Sequence, residues 1–243
     1  QLLDEANFKA PEARAIARMG LTTADVRIHL SHRVTVGSLL QALGLPADSE
    51  GEAFDLLDRR HRMEPVGWFG VEVSQLEKPT IAAVNGPAVG GGFALAMACD
   101  LRVIANDATF GMASTHRYAL PPEGGITYTL PRIVGLTKAC ELLMTGDLVD
   151  GIEAERIGLV NRSVPVEEVM DSAMEFARKI AGNGPIGMEL TKQLIYRGLH
   201  ETNIATQVER EDAALVHGFK TEDYEEGARA WWIEKRKPVF KGK

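Results

Sequence analysis

The sequence predicts an α/β fold with a helical C-terminal part. Short β-branched runs alternate with apolar helix-length runs between residues 78 and 113. Ten of the 24 glycines fall between Gly86 and Gly151, which places the tight turns, and with them the chemistry, in mid-chain. Beyond Pro121-Pro122 the apolar residues recur at helical spacing. With 243 residues, 45% apolar and 25% charged, the chain can bury a sizeable core; a disordered or collagen-like chain is excluded.

Each element follows from a local pattern. Pro11 to Met19 reads as a short helix closed by Gly20, with proline near its start and glycine past its end. Val26, Ile28 and Leu30 alternate with Arg27 and His29, the period of a half-buried strand. After the polar break at Ala47 to Gly51, residues 52–62 and 67–77 read as helices, the second presenting Phe69, Val73 and Leu76 on one face. Thr80–Val84 is a β-branched apolar run, hence a buried strand. Asn85-Gly86-Pro87 turns the chain, and Gly90-Gly91-Gly92 opens an apolar helix from Phe93 to Cys99. Leu101–Ala105 and Thr109–Ala113 are two further strands. Thr137–Met144 is a helix stopped by Gly146. From Val166 to Ala181, Val166, Val169, Met170, Ala173, Phe176, Ala177 and Ile180 form one stripe, with Glu167 and Glu168 in the first turn and Arg178 and Lys179 in the last. Helices at 186–198, 202–217 and 222–235 follow. Ile204, Val208, Leu215 and Phe219 form a face expected to pack on another surface, such as another subunit.

A net charge of −7 argues against nucleic acid as the main partner, because phosphate backbones need a basic face. Lys235, Arg236, Lys237, Lys241 and Lys243 nevertheless put five positive charges in the last nine residues. This tail is either a solvated basic end or a local site for a small polyanion. Pro79 to Cys99 is uncharged over 21 residues, but its two prolines, Asn85 and four glycines break a membrane-spanning helix, so no membrane is expected. Cys99 and Cys140 suggest neither a disulfide framework nor a zinc site, and a reducing cytoplasm is the expected compartment. The chain starts at Gln1 without an initiator Met, which leaves room for a targeting segment ahead of it.

Several motifs are missing. The glycine triplet is followed neither by a glycine at dinucleotide-fingerprint spacing nor by Gly-Lys-Ser/Thr, and no His-Glu-x-x-His or Gly-x-Ser-x-Gly occurs. His29, His32, His61, His116, His200 and His217 form no ligand pair, and no metal is expected. Two features remain. Three glycines at a helix start offer bare backbone N–H groups to a developing negative oxygen, or else simply permit close strand–helix packing. Pro121-Pro122-Glu123-Gly124-Gly125 holds one carboxylate in a constrained loop flanked by the apolar Leu120, Ile126, Tyr128 and Leu130, as a base or as an exposed turn glutamate.

The stretch Lys78-Pro-Thr-Ile-Ala-Ala-Val-Asn-Gly-Pro-Ala-Val-Gly-Gly-Gly92, followed by Ala-Met-Ala-Cys-Asp100-Leu-Arg, resembles the signature of the crotonase (enoyl-CoA hydratase/isomerase) superfamily. Leu130-Pro-Arg-Ile-Val-Gly135, Glu141-Leu-Leu-Met-Thr-Gly146, Ala154-Glu-Arg-Ile-Gly-Leu-Val160 and the ending Glu226 to Phe240 match in order. The resemblance implies a crotonase-like spiral of ββα units with a C-terminal helical region, assembled as a homotrimer or homohexamer. It divides the chain into a divergent N-terminal part of the fold (1–77), a core with the active site (78–182) and a C-terminal helical region for oligomerisation and CoA contact (183–243). It implies an acyl-CoA thioester substrate with no separate cofactor, CoA being part of the substrate. Gly91 then supplies one N–H to the thioester oxygen as its enolate forms. Ala88, Gly90, Ser114 and Pro122 are the expected substrate contacts, with Phe240 and Lys241 near the CoA nucleotide.

Departures from the pattern sharpen the expectation. Hydratases of this family carry glutamates two places after the glycine triplet and twenty residues later, where this chain has Ala94 and Ser114. Glu123 falls where single-glutamate enoyl-CoA isomerases carry their catalytic carboxylate. The expected reaction is therefore isomerisation of a 3-enoyl-CoA to a 2-enoyl-CoA, in fatty-acid or related acid catabolism. The alternatives are hydration through Glu123 alone, a non-catalytic CoA-binding subunit, and a hydrolase using Ser114 with His116. The family's second oxyanion donor, in a loop of the type Ala-Gly-x-Asp, has no counterpart in residues 1–77.

Overall fold

The computed structural model describes Trp68 and residues 70–243. The sequence-based helices at 11–19 and 52–62 and the strand at 26–30 lie outside the described residues, as does Phe69 of the 67–77 helix. Residues 67–243 form one unit by themselves.

The first described elements are helical, at Trp68 and 70–74, and this helix ends three residues before the expected 77; Val73 is half-buried and Leu76 exposed. Strand β1 (Ile81–Val84) enters one sheet, β2 (Ala88–Val89) enters a second, and helix α1 (Gly91–Ala98) returns the chain. The same unit recurs as β3 (Leu101–Ala105), β4 (Thr109–Gly111) and α2 (Ala113–Tyr118). Within each unit the two strands thus go to different sheets, which is the ββα spiral. In the first sheet β1, β3 and β6 (Arg162–Val164) run parallel in the order β1-β3-β6, with Ile81 opposite Leu101 and Val103 opposite Arg162. In the second, β2 pairs in parallel with β4, and β4 antiparallel with β5 (Val149–Asp150). Helices α3 (Ile126–Val134), α4 (Leu136–Thr145) and α5 (Gly151–Arg156) lie between β4 and β6 in sequence, apart from β5. They are followed by α6 (Val169–Ala181), α7 (Pro185–Gly198), α8 (Ile204–Gly218) and α9 (Glu222–Ala228).

The core sits between the sheets and the inner helices. Phe93 of α1 stacks on Phe110 of β4 with ring centroids 5.0 Å apart, and Ile104, Met112, Ile126, Leu130, Leu159 and Val169 are fully buried around them. Pairs like Phe93–Phe110 add about 0.5–1.5 kcal/mol beyond their buried area.

A polar network pins the C-terminal helices to the first sheet. Asp100, at the foot of β3, accepts from the Thr80 backbone N–H (2.6 Å), from the Thr80 hydroxyl (3.0 Å) and from Tyr196 of α7 (2.6 Å). Lys192, one turn earlier on α7, is only 7% exposed; it pairs with Asp100 at 2.8 Å and donates to the Lys78 carbonyl. Burial pushes the Asp100 carboxyl up, but the hydrogen bonds from Lys192, Tyr196 and Thr80 together outweigh it and leave the group below its ordinary value. Burial, and then the bond to Asp100, push the Tyr196 phenol up.

Several expected elements are corrected. The strand expected over Thr109–Ala113 ends at Gly111, and a helix starts at Ala113. The helix expected from Phe93 begins two residues earlier, inside the glycine triplet. The helix expected over 166–181 starts as a 3-10 turn (Val166–Glu168), and the stripe is narrower than its sequence: Val169 and Ala173 are buried, whereas Val166 and Met170 are exposed. The 222–235 helix gives way to a π-helical turn at Arg229–Glu234. The short strands β2, β5 and β6 are too brief to show a period. The uncharged Pro79–Cys99 stretch is strand, turn and helix, and no helix among the described residues is long and apolar enough to cross a membrane.

The network predicts a stability change with a defined pH dependence. Asp100→Asn leaves Lys192 buried without its counter-charge and costs about 3–5 kcal/mol. Because the folded pKa is depressed, the wild-type advantage is fully present above 3.8 and is lost as pH falls through the lower folded value. Denaturant midpoints of the two proteins should therefore diverge at neutral pH and converge in acid; a constant gap across pH would refute the assignment.

Candidate active site

The pairing of β2 with β4 brings two turns together. Ala88 lies opposite Phe110 and Val89 opposite Gly111, and the Gly90 N–H donates to the Gly111 carbonyl at 2.9 Å. Continued in parallel, this register sets Gly90 and Gly91 beside Met112 to Ser114, at the C-terminal ends of both strands. Gly90 has φ 61 and ψ −122, a conformation that glycine alone adopts without strain. The turn aims the start of α1 out of the sheet. The Gly91 N–H heads that helix, where no i−4 carbonyl exists to receive it, and no side chain caps it. The expectation of three bare N–H groups is thus corrected: Gly90 uses its own in the β2–β4 ladder, and its carbonyl receives the Ala94 N–H. Ala88 lies beside Gly92, lining with β1 and Leu95 a cleft of about 660 Å³.

Helix α2 leads from this junction to Glu123. It ends at Ala119 in the left-handed conformation (φ 51), and the N–H groups of Ala119 and Leu120 both return to the Ser114 carbonyl. Pro121 and Pro122 follow, then the half-buried Glu123, then Gly124 (φ 69) and Gly125 (φ 78), which start α3. Of the four apolar neighbours, Ile126 and Leu130 anchor α3 in the core, while Leu120 and Tyr128 are exposed. The loop is therefore fastened to Ser114 at one end and to the core at the other.

Ser114 is buried, and among the described residues its hydroxyl has no hydrogen-bond partner; nor has that of Thr115. The side chain of His116 lies outside the described residues. Ala94 is packed in the core at 1% exposure. Gly90 and Gly91 thus adjoin the strand end that leads into α2 and Ser114, and Pro122 and Glu123 lie in the loop that follows α2. Phe240 and Lys241 are elsewhere in the chain's C-terminal part. The Phe240 ring lies on Gly184 and Gly227, beside an apolar groove of about 690 Å³ lined by α7 and α8. The Lys241 N–H is held by Asp223 at 2.6 Å. Of the five basic side chains in the tail, Arg236 is engaged by Glu226 at 2.6 and 2.9 Å. Arg236, the Val239 N–H and Arg229 hold the Glu226 carboxyl well below the usual range. Among the described residues no group of three or more His, Cys, Asp or Glu is placed to hold a metal.

Sequence reasoning missed Gly70, whose backbone lies against Gly124, and the Asp100–Lys192–Tyr196 network. Lys192 and Tyr196, four residues apart and hence on one helix face, were the available signal for the second.

A family model described as enoyl-CoA hydratase/isomerase matches residues 66–243. A short-chain-enoyl-CoA hydratase of Clostridium acetobutylicum is 44% identical over 162 residues, 67% of this chain and 61% of that protein. A probable enoyl-CoA hydratase of Mycobacterium tuberculosis is 41% identical over 167 residues, 68% of this chain and 58% of its own length. The crystal structure of an enoyl-CoA hydratase from Bacillus anthracis superposes with a TM-score of 0.72 at 40% identity, covering 76% of this chain and 70% of that one. The chain thus spans about three-fifths of the length of the curated relatives it matches.

The Gly90 turn yields a clean test. An added Cβ meets nothing within 4 Å, so the cost of Gly90→Ala is backbone strain alone. It should lower the urea unfolding free energy by about 1–3 kcal/mol. An unchanged midpoint would show that the turn does not need its left-handed glycine.

Proposed function

The chain belongs to the enoyl-CoA hydratase/isomerase family, and from that premise we propose that it moves the double bond of a 3-enoyl-CoA into conjugation, giving a 2-enoyl-CoA. Glu123 removes a proton from C2. The C2–H electron pair moves into the C1–C2 bond, and the thioester oxygen becomes an enolate oxygen held by the Gly91 N–H, with the positive end of the α1 dipole behind it. Glu123 then returns the proton to C4: the C3–C4 π pair forms the C4–H bond, the C1–C2 π pair moves to C2–C3, and an oxygen pair restores the thioester carbonyl. No water, oxidant or further base is needed.

The observation that carries this reading is the doubly fastened loop, with two prolines before Glu123 and two left-handed glycines after it. Such a loop presents one carboxylate with little entropy left to lose. Ala94 in the core and the uncharged Ser114 offer no second carboxylate on these turns. Ala88, Gly90, Ser114 and Pro122 form the substrate-facing surface, and Phe240 and Lys241 are proposed for the CoA end. Hydration by Glu123 alone is the second reading, supported by the names of the hydratase relatives. We assign residues 78–182 to the catalytic core and 183–243 to oligomer and CoA contacts. A homotrimer or homohexamer in the cytoplasm fits the exposed Ile204, Val208, Leu215 and Phe219 of the α8 region.

Incubating the protein with 3-enoyl-CoA substrates and following mass and absorbance tests the proposal. Isomerisation gives a conjugated product of unchanged mass, and Glu123→Gln should lower kcat by about 10²–10⁴ while acyl-CoA binding persists. A product heavier by one water would establish hydration instead. Binding without turnover at any chain length would mark a CoA-binding subunit.

A further inference from the structure

The helical segment 70–74 lies against the turn that carries Glu123, and the contact leaves no room for a side chain. Gly70 is buried. A Cβ built on it would stand 2.3 Å from the carbonyl oxygen of Gly124 and 3.2 Å from its carbonyl carbon. Both are main-chain atoms, so neither can swing away as the tip of a flexible side chain would. The loop has little freedom to yield. Its start is tied to the Ser114 carbonyl through Leu120, Pro121 and Pro122 restrict φ, and Gly124 and Gly125 are held at φ 69 and 78 before α3 enters the core. With both ends fastened, the height of the middle is set by the surface beneath it, and that surface is the bare backbone of Gly70.

We propose that Gly70 is a positioning residue for the Glu123 carboxylate: its missing side chain lets the segment seat the loop at the depth from which the carboxylate reaches the substrate. The inference rests on the reading of Glu123 as the proton carrier. A methyl group at position 70 has to lift Gly124 by roughly 1 Å to reach ordinary contact, and misplacement of that size is enough to cost about 100-fold in rate. The glycine turn at Gly90–Gly91 belongs to the β2–β4 junction rather than to this contact, so oxyanion contacts and acyl-CoA binding stay in place.

The test is a double-mutant cycle of Gly70→Ala with Glu123→Gln, with kcat, KM and acyl-CoA binding measured on all four proteins. Gly70→Ala should lower kcat about 100-fold with KM changed by less than about twofold, and should make no further difference in the Glu123→Gln background. Wild-type kcat in Gly70→Ala, or the same loss in both backgrounds, would overturn the positioning role, the latter because a general structural defect slows residual turnover too. Full activity in Glu123→Gln alone would overturn the reading of Glu123 itself, and the role of Gly70 with it. If Gly70→Ala does not fold, Pro122→Gly relaxes the loop enough to admit the methyl. Gly70→Ala/Pro122→Gly should then turn over at least about tenfold more slowly than Pro122→Gly. Equal rates would overturn the proposal.

Discussion

Asp100 accepts hydrogen bonds from both ends of the described chain: from Thr80 at the entry to β1, and from Tyr196 on α7, where Lys192 also neutralises its charge. Everything that shapes the site is measured from this point. Thr80 fixes where β1 begins opposite β3, and four residues of parallel pairing then deliver the chain to the Asn85–Pro87 turn. From there β2 is short enough that its register with β4 leaves no slack before Gly90. A half-buried carboxylate with an ammonium, a phenol and a backbone N–H all directed at it does not tolerate a shift of one residue, because the buried Lys192 would then lose its counter-charge.

The site is a consequence of how the spiral splits its strands. In each of the two ββα units the two strands go to different sheets; the second sheet has only two or three residues per strand, and its parallel strands end almost level. The helices that follow β2 and β4 therefore start side by side. One start carries a glycine turn with no side-chain cap; the other leads, through the six residues of α2, to the loop that carries Glu123. Main-chain geometry alone sets the starts of α1 and α2 at the level ends of these two strands.

Much of this was legible in the sequence. The β-branched run before Asn85-Gly86-Pro87, the glycine triplet and the Pro-Pro-Glu-Gly-Gly loop each have a local physical reason, and each is found where that reason places it. The misses also have reasons. Thr109–Ala113 reads as one apolar run because Met112 and Ala113 are buried, yet the chain turns into a helix after Gly111; burial looks alike in both states. Met170 sits at helical spacing with Val169 and Ala173 but faces outward, because only the narrow stripe through those two residues is covered within this chain. Gly70 carried no signal, because the contact that requires a glycine there comes from a residue 54 positions away.

The central claim is that Glu123 and the Gly91 N–H act on the same proton–oxygen pair of a thioester. Exchange of the C2 protons of a saturated acyl-CoA in deuterium oxide measures that step by itself, since such a substrate can neither isomerise nor take up water. Deuterium should enter at C2 with the wild-type protein and with Ser114→Ala, and should not enter with Glu123→Gln. Exchange at the wild-type rate in Glu123→Gln would show that another group moves the proton and would contradict the account.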